Sequence, residues 1–173
     1  MTAQGELYSS TLDTLERTPT VLRDMMLGLP DDVIDAKGSE GWSAHDVLAH
    51  LLSIHYKANV QRVHLIVEND HPAIPNVDEE ATLRESGMQA WPVARLLDEY
   101  AAARAESVAW LRSLPEGALA RTGQHSVAGE ISAADVLHHI AYHDLLHVAQ
   151  IAKLLYAPLE ARRGRMRDGF PDQ

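Results

Sequence analysis

A chain of 173 residues, 46% hydrophobic and 23% charged, fits one soluble globular domain and excludes a segment too polar to build a core. It contains no cysteine, which excludes disulfide staples, a thiolate nucleophile and thiolate metal ligands, and fits a reducing compartment. A formal net charge of -10 with no offsetting basic stripe excludes nucleic acid as the expected partner.

The first residues, M-T-A-Q-G-E-L-Y, carry neither the basic nor the apolar part of a signal peptide. No stretch is long and apolar enough to cross a bilayer. The expected location is the cytoplasm, with no membrane partner. The one basic cluster, Arg162, Arg163, Arg165 and Arg167, lies beside Glu160 and Asp168 and reads as a solvated terminus.

The first helical pattern spans Gly5 to Leu29, interrupted at Thr18-Pro19, where Pro is suited to a first helical turn. Leu22, Met25, Met26 and Leu29 form its apolar face. The second opens at Gly41-Trp42-Ser43 and runs to about Val67, with Ser43 and Asp46 at capping-box spacing. His71 to Gly87 is a long acidic, Pro-bearing connection with a short helix expected around Glu79 to Ser86. The third helix runs from Trp91-Pro92 to Leu114-Pro115. A Gly-bearing segment with room for one hairpin-like loop follows. The fourth starts at Ser132, with Asp135 three residues on, and reaches about Tyr156 before Pro158. Strand signals are few, so the expected fold is all-α, a four-helix bundle whose long connection allows up-down-down-up order.

Two helix openings look alike. S-A-H-D-V-L-A-H-L (Ser43 to Leu51) resembles S-A-A-D-V-L-H-H-I (Ser132 to Ile140), with His50 in the slot of His139. This suggests a pseudo-two-fold bundle with both histidines facing one interior.

The fourth helix carries His139, His143 and His147 four residues apart, so they stack on one face of an otherwise apolar segment. Imidazoles on an inward stripe need a partner, and a divalent metal suits neutral imidazole nitrogens. Either adjacent pair can bite one ion. All three cannot, because the outer two lie about 12 Å apart along the axis. A third ligand must come from elsewhere, and His50, on the interior stripe of the second helix, is the best candidate. Asp144 follows His143 where a zincin helix would carry Glu, and the shorter side chain argues against a metalloprotease. Asp144 is a candidate to orient a ligand or to pair between helices. Gln150 is a candidate to hold a bound water or satisfy backbone, Trp42 a core anchor, and Arg62 and Arg104 partners for acids or for an anionic substrate. His45 and His138 fall off the inward stripes, toward the surface. His139 is expected to pack beside the site. His125, in a Gly-flanked loop, is expected to make turn contacts.

G-W-S-A-H-D-V-L-A-H-L, the G-x-H-x-x-x-G stretch from Gly123 to Gly129, and H-D-L-L-H-V-A-Q-I together resemble the DinB-like superfamily. The likeness runs from Thr18-Pro19 to Ile151, and the H-D-x-x-H-x-x-Q-I end is its most specific part. It implies a four-helix bundle of up-down-down-up order, often a homodimer. It also implies a three-histidine metal site whose ligands carry over to His50, His143 and His147, selecting this pair over His139 and His143. Nitrogen ligands suit Zn, Ni, Fe and Cu alike; Zn or Ni is the expectation. The family includes metal-dependent transferases using bacillithiol or mycothiol, so the expected activity is transfer of such a thiol to a small-molecule electrophile. The absence of cysteine agrees, since the sulfur must then come from a co-substrate. The alternatives are a metal-dependent hydrolase of a small substrate, ranked lower because the histidine ladder offers no strong general base, and a non-enzymatic stress-related bundle.

Overall fold

A computed structural model describes residues 3–115, 117–160 and 162–169, with side chains from residue 8 onward. Four long helical stretches form the bundle: α1 (Ala3–Met26); α3 (Ala44–Ile54) continuing through a π-helical turn (His55–Asn59) into α4 (Val60–Glu68); α6 (Val93–Ser113); and α7 (Ala133–Glu160). Short helices α2 (Asp31–Ile34), α5 (Glu79–Ser86) and α8 (Arg165–Gly169) lie between or beyond them.

The expected caps form. Ser43 Oγ accepts from the Asp46 backbone N–H, while Asp46 accepts from the Ser43 N–H at 2.8 Å. Ser132 and Asp135 make the same reciprocal pair at the start of α7. Each exchange satisfies donors that the first helical turn leaves open. Burial pushes the Asp46 carboxyl up, but hydrogen bonds from Lys37, Ser43 and Gln89 outweigh it and hold the pKa at about 2.

Two expected interruptions are absent. α1 continues through Pro19, flanked by fully buried Leu15 and Leu22. Packing on both sides outweighs the one backbone hydrogen bond that proline removes. α7 likewise passes Pro158 and ends at Glu160. Near a helix end, the carbonyl freed by proline can turn to solvent.

The hairpin in the third connection is present, as β2 (Thr122–His125) antiparallel to β3 (Gly129–Ser132). A third strand, β1 (Ala73–Ile74), pairs parallel to β2 and ties the long connection to the bundle. Gly123 permits this approach: a Cβ there would lie 2.8 Å from the Pro72 carbonyl oxygen and 2.9 Å from Ile74 Cδ1. With the connection anchored, α5 packs on α3 and buries Leu83.

The interior is layered. One apolar cluster includes Leu22, Leu48, Leu52, Leu97 and Ile151. A second, toward the other end, includes Leu15, Val63, Ile66, Leu111 and Leu137. Between them lies a belt of buried polar groups: His55, Arg104, Ser107, His143 and Asp144. No described helix is long and apolar enough to cross a membrane.

Candidate metal centre

His50 projects from α3 and His143 and His147 from α7, and the three rings meet. His143 Nε2 lies 3.4 Å from His50 Nε2 and 3.2 Å from His147 Nε2. Nitrogens bound to one tetrahedral ion at about 2.0–2.1 Å stand about 3.3 Å apart. His143 thus stands from each neighbour at the spacing of two ligands on one ion, and one ligand atom from each of the three rings lies within 4.8 Å of the others. His139 does not join it. Its side chain is exposed, and its ring lies 6.1 Å from that of His143, beside the site as expected. His50 is buried, so the likeness between the two helix openings extends to their caps but not to their histidines.

The electrostatics favour the ligating form. Burial and then the neighbouring His147 lower the His50 pKa to about 4. Burial, with His147 and His50 next, lowers that of His143 to about 3. Burial also lowers that of His147, against a raising contribution from Gln150. Neutral imidazoles are what a metal requires.

Gln150 fixes one ring. Its Oε1 lies 2.7 Å from His147 Nδ1, so Nδ1–H donates and Nε2 is left bare toward the cluster. The Nδ1 atoms of His50 and His143 have no such partner among the described residues. Gln150→Ala is therefore expected to weaken metal affinity by about 10–100-fold without changing the fold, measured by chelator competition.

A cavity of about 640 Å³, between α7 and the loop before α3, reaches the cluster at His147. Trp42, Leu146 and Leu154 give it apolar walls, and His147 and Gln150 reach its surface. Trp42 also meets the His50 ring edge-on, 5.6 Å between centroids, as well as anchoring the core.

Asp144 and Arg104 take the interhelical role. Arg104 Nη2 donates to both Asp144 carboxylate oxygens at 2.9 Å and to the Tyr100 hydroxyl at 2.6 Å. Both are within the core, at 2% and 0% side-chain exposure, so neither reaches a substrate. His125 makes turn contacts, its Nδ1 accepting from the backbone of Val127 and Ala128. His45 and His138 depart from expectation, since both are half-buried. His45 bridges Asp35 and the Trp91 carbonyl, and His138 contacts Thr11 and stacks on Tyr8.

One residue escaped the sequence reading. Glu79, at the first turn of α5, places Oε2 3.6 Å from His50 Nε2. Its half-exposed carboxylate lies beside the ligating nitrogens. No histidine spacing points to it, because its position depends on the β1–β2 pairing that anchors the connection.

The buried histidines set an acid limit on the metal-free protein. His50, His143 and His55 have folded pKa values of about 4, 3 and 3 against 6.5 for the free side chain. The unfolded chain binds more protons between these values, so their contribution is full above 6.5 and falls as pH drops toward 4 and then 3. Denaturant melts of the metal-free protein at pH 7.5, 6 and 5 are expected to show stability falling in that order.

These features coincide with a known class. The profile of the DinB superfamily matches residues 14–151, and the chain belongs to that superfamily. The fold resembles that of YfiT from Bacillus subtilis, with a TM-score of 0.79 at 22% identity, over 89% of this chain and 87% of the other. That protein is described as a probable metal-dependent hydrolase with an unusual four-helix bundle topology. At this identity the likeness carries the fold. No curated protein sequence matches the chain.

Proposed function

We propose that this protein is a metal-dependent enzyme that transfers a low-molecular-weight thiol, bacillithiol or mycothiol, to a small electrophile, with His50, His143 and His147 as metal ligands. The observation that carries this reading is the convergence of three buried or half-buried histidines, with one ligand atom of each within 4.8 Å of the others and His143 Nε2 at tetrahedral spacing from both its neighbours, beside a mostly apolar cavity. Zn or Ni suits this donor set. A divalent ion there would lower the pKa of a sulfur or water ligand.

The chain's own residues do the rest. Gln150 holds the His147 ring in its ligating tautomer. Trp42, Leu146 and Leu154 exclude water from the cavity wall and offer surface to the apolar part of a substrate. The volume suits a molecule far larger than water, in keeping with an external thiol plus an electrophile. With no cysteine in the chain, no protein sulfur competes. In this reading the Glu79 carboxylate, 3.6 Å from His50 Nε2, acts as the proton acceptor beside the site.

A second reading is favoured by a specific observation. The carboxylate of Glu79 supplies the general base whose absence ranked hydrolysis lower, and YfiT is described as a probable hydrolase. One assay separates the two. The metal-loaded protein is incubated with a chloronitrobenzene and bacillithiol, mycothiol or glutathione, and separately with p-nitrophenyl esters without thiol. Metal-dependent thioether formation is the expected result. Ester cleavage with no thiol turnover would replace it with the hydrolase.

A further inference from the structure

A second cavity lies where the π-helical turn meets α6. It encloses about 280 Å³ and shares no lining residue with the cavity at His147. One wall is a single face of α6, from Ala103 to Trp110, with lining residues three and four apart. The other wall comes from the π-helical turn (His55–Asn59) and the α4 residues that follow it. Such turns frequently mark functional sites. An apolar cavity of about 150 Å³ is enough to take up benzene, so this one has room for a small organic molecule.

The lining selects the ligand. Three rings border the cavity: Tyr56, which is exposed, and Trp110 with His64 stacked on it at 3.6 Å between centroids. The polar groups at the inner end are engaged with one another. Ser107 Oγ donates its proton to the Ala103 carbonyl at 2.7 Å, so it accepts from His55 Nε2–H at 3.0 Å. His55 Nδ1 is sealed from solvent and offers the cavity nothing. His64 turns to Glu68, its Nδ1 2.9 Å from the carboxylate. Glu106 remains. It is exposed and makes no hydrogen bond or ion pair among the described residues. No lysine or arginine lines the cavity. Lys57, on the π-helical turn, is exposed and outside the lining, and Arg104 is paired with Asp144 in the core. Burial, then the charges of Glu99 and Glu106, raise the Tyr56 phenol pKa, so the ring stays neutral among negative charges.

We propose that this cavity binds a small quaternary ammonium compound, with Glu106 and the rings of Tyr56 and Trp110 as its recognition groups. Aromatic rings attract a cation through their electron-rich faces, and a carboxylate adds Coulomb attraction. An alkylated nitrogen has no N–H to satisfy, which suits walls whose inner polar groups are already paired. The chain's net charge of -10 draws cations toward it. An anion would meet Glu106 with no counter-cation in the lining. The inference is independent of the metal and of the reaction at the histidine cluster.

Titration calorimetry of the metal-loaded protein with choline, and with 3,3-dimethyl-1-butanol as its uncharged isostere, tests it. Wild type is expected to favour choline about tenfold, from ring and carboxylate contacts together. Glu106→Gln and Tyr56→Leu should each cut that preference by about threefold. Both side chains are exposed, so melting temperature and metal content should not change. His143→Ala should keep the preference. Equal affinity for the two probes, or no binding of choline, would overturn the proposal. So would a preference untouched in both Glu106→Gln and Tyr56→Leu. Loss of the preference in His143→Ala would also overturn it, by placing the cation at the histidine cluster.

Discussion

Replacement of His143 by alanine should abolish tight metal binding. Its Nε2 is the central atom of the cluster, within 3.4 Å of both other ligating nitrogens. Without it, His50 and His147 face each other with ring centroids 4.8 Å apart, and only two imidazoles remain. Changes to groups that merely orient a ligand cost about 10–100-fold in affinity, so loss of a ligand should exceed 100-fold. The fold should persist, because the substitution removes a polar ring that burial already holds neutral. Elemental analysis after gel filtration is expected to find about one metal ion per chain in wild type and none in His143→Ala. His139→Ala is the control. Its ring is exposed and outside the cluster, so metal content should equal that of wild type. Equal metal in wild type and His143→Ala would remove the site from these residues.

The second large effect is on stability. Arg104→Met leaves the Asp144 carboxylate fully buried opposite an apolar side chain. Burial raises its pKa while Arg104, Tyr100 and Thr18 act to lower it, so the arginine is the leading counterweight. Breaking a buried pair from one side costs about 3–5 kcal/mol, against roughly 2–4 °C of melting temperature per kcal/mol for a chain of this size. The expected fall is on the order of 10 °C. The double variant Arg104→Met, Asp144→Leu should recover much of it, since an apolar pair of similar volume leaves no charge stranded. Calorimetry of the three proteins checks this. A single variant as stable as wild type would show that the pair is idle. The pair lies in the belt between the two apolar clusters, beside His143 in the chain, so it holds α6 against α7 at the level of the site.

Much of this was written locally. Ser43 with Asp46 and Ser132 with Asp135 announce two helix starts, because a capping box is a short-range exchange that needs only three residues of spacing. His143 and His147 are legible for the same reason, one helical turn apart. Choosing them over His139 and His143 needed the family likeness, since spacing treats both pairs alike. Long-range placement was not legible. Gly123 marks a turn region, yet nothing near it names Ala73 and Ile74 as its partners across the sheet. Glu79 was missed for that reason, because it reaches His50 only once β1 is docked. The π-helical turn was also hidden. Nearly every residue of α3 is buried, so no polar face remains from which a slip in periodicity might be read. The proline breaks expected at Pro19 and Pro158 failed because tertiary packing and helix-end solvation outweigh a single lost hydrogen bond.

The most direct measurement is a crystal structure of the zinc-loaded protein with anomalous data at the metal edge. The expected result is one peak at about 2.0–2.1 Å from Nε2 of each of His50, His143 and His147, with a further coordination position facing away from the three rings. A peak bound elsewhere, or bound to fewer than all three of these nitrogens, would contradict the assignment of this histidine cluster as the metal centre.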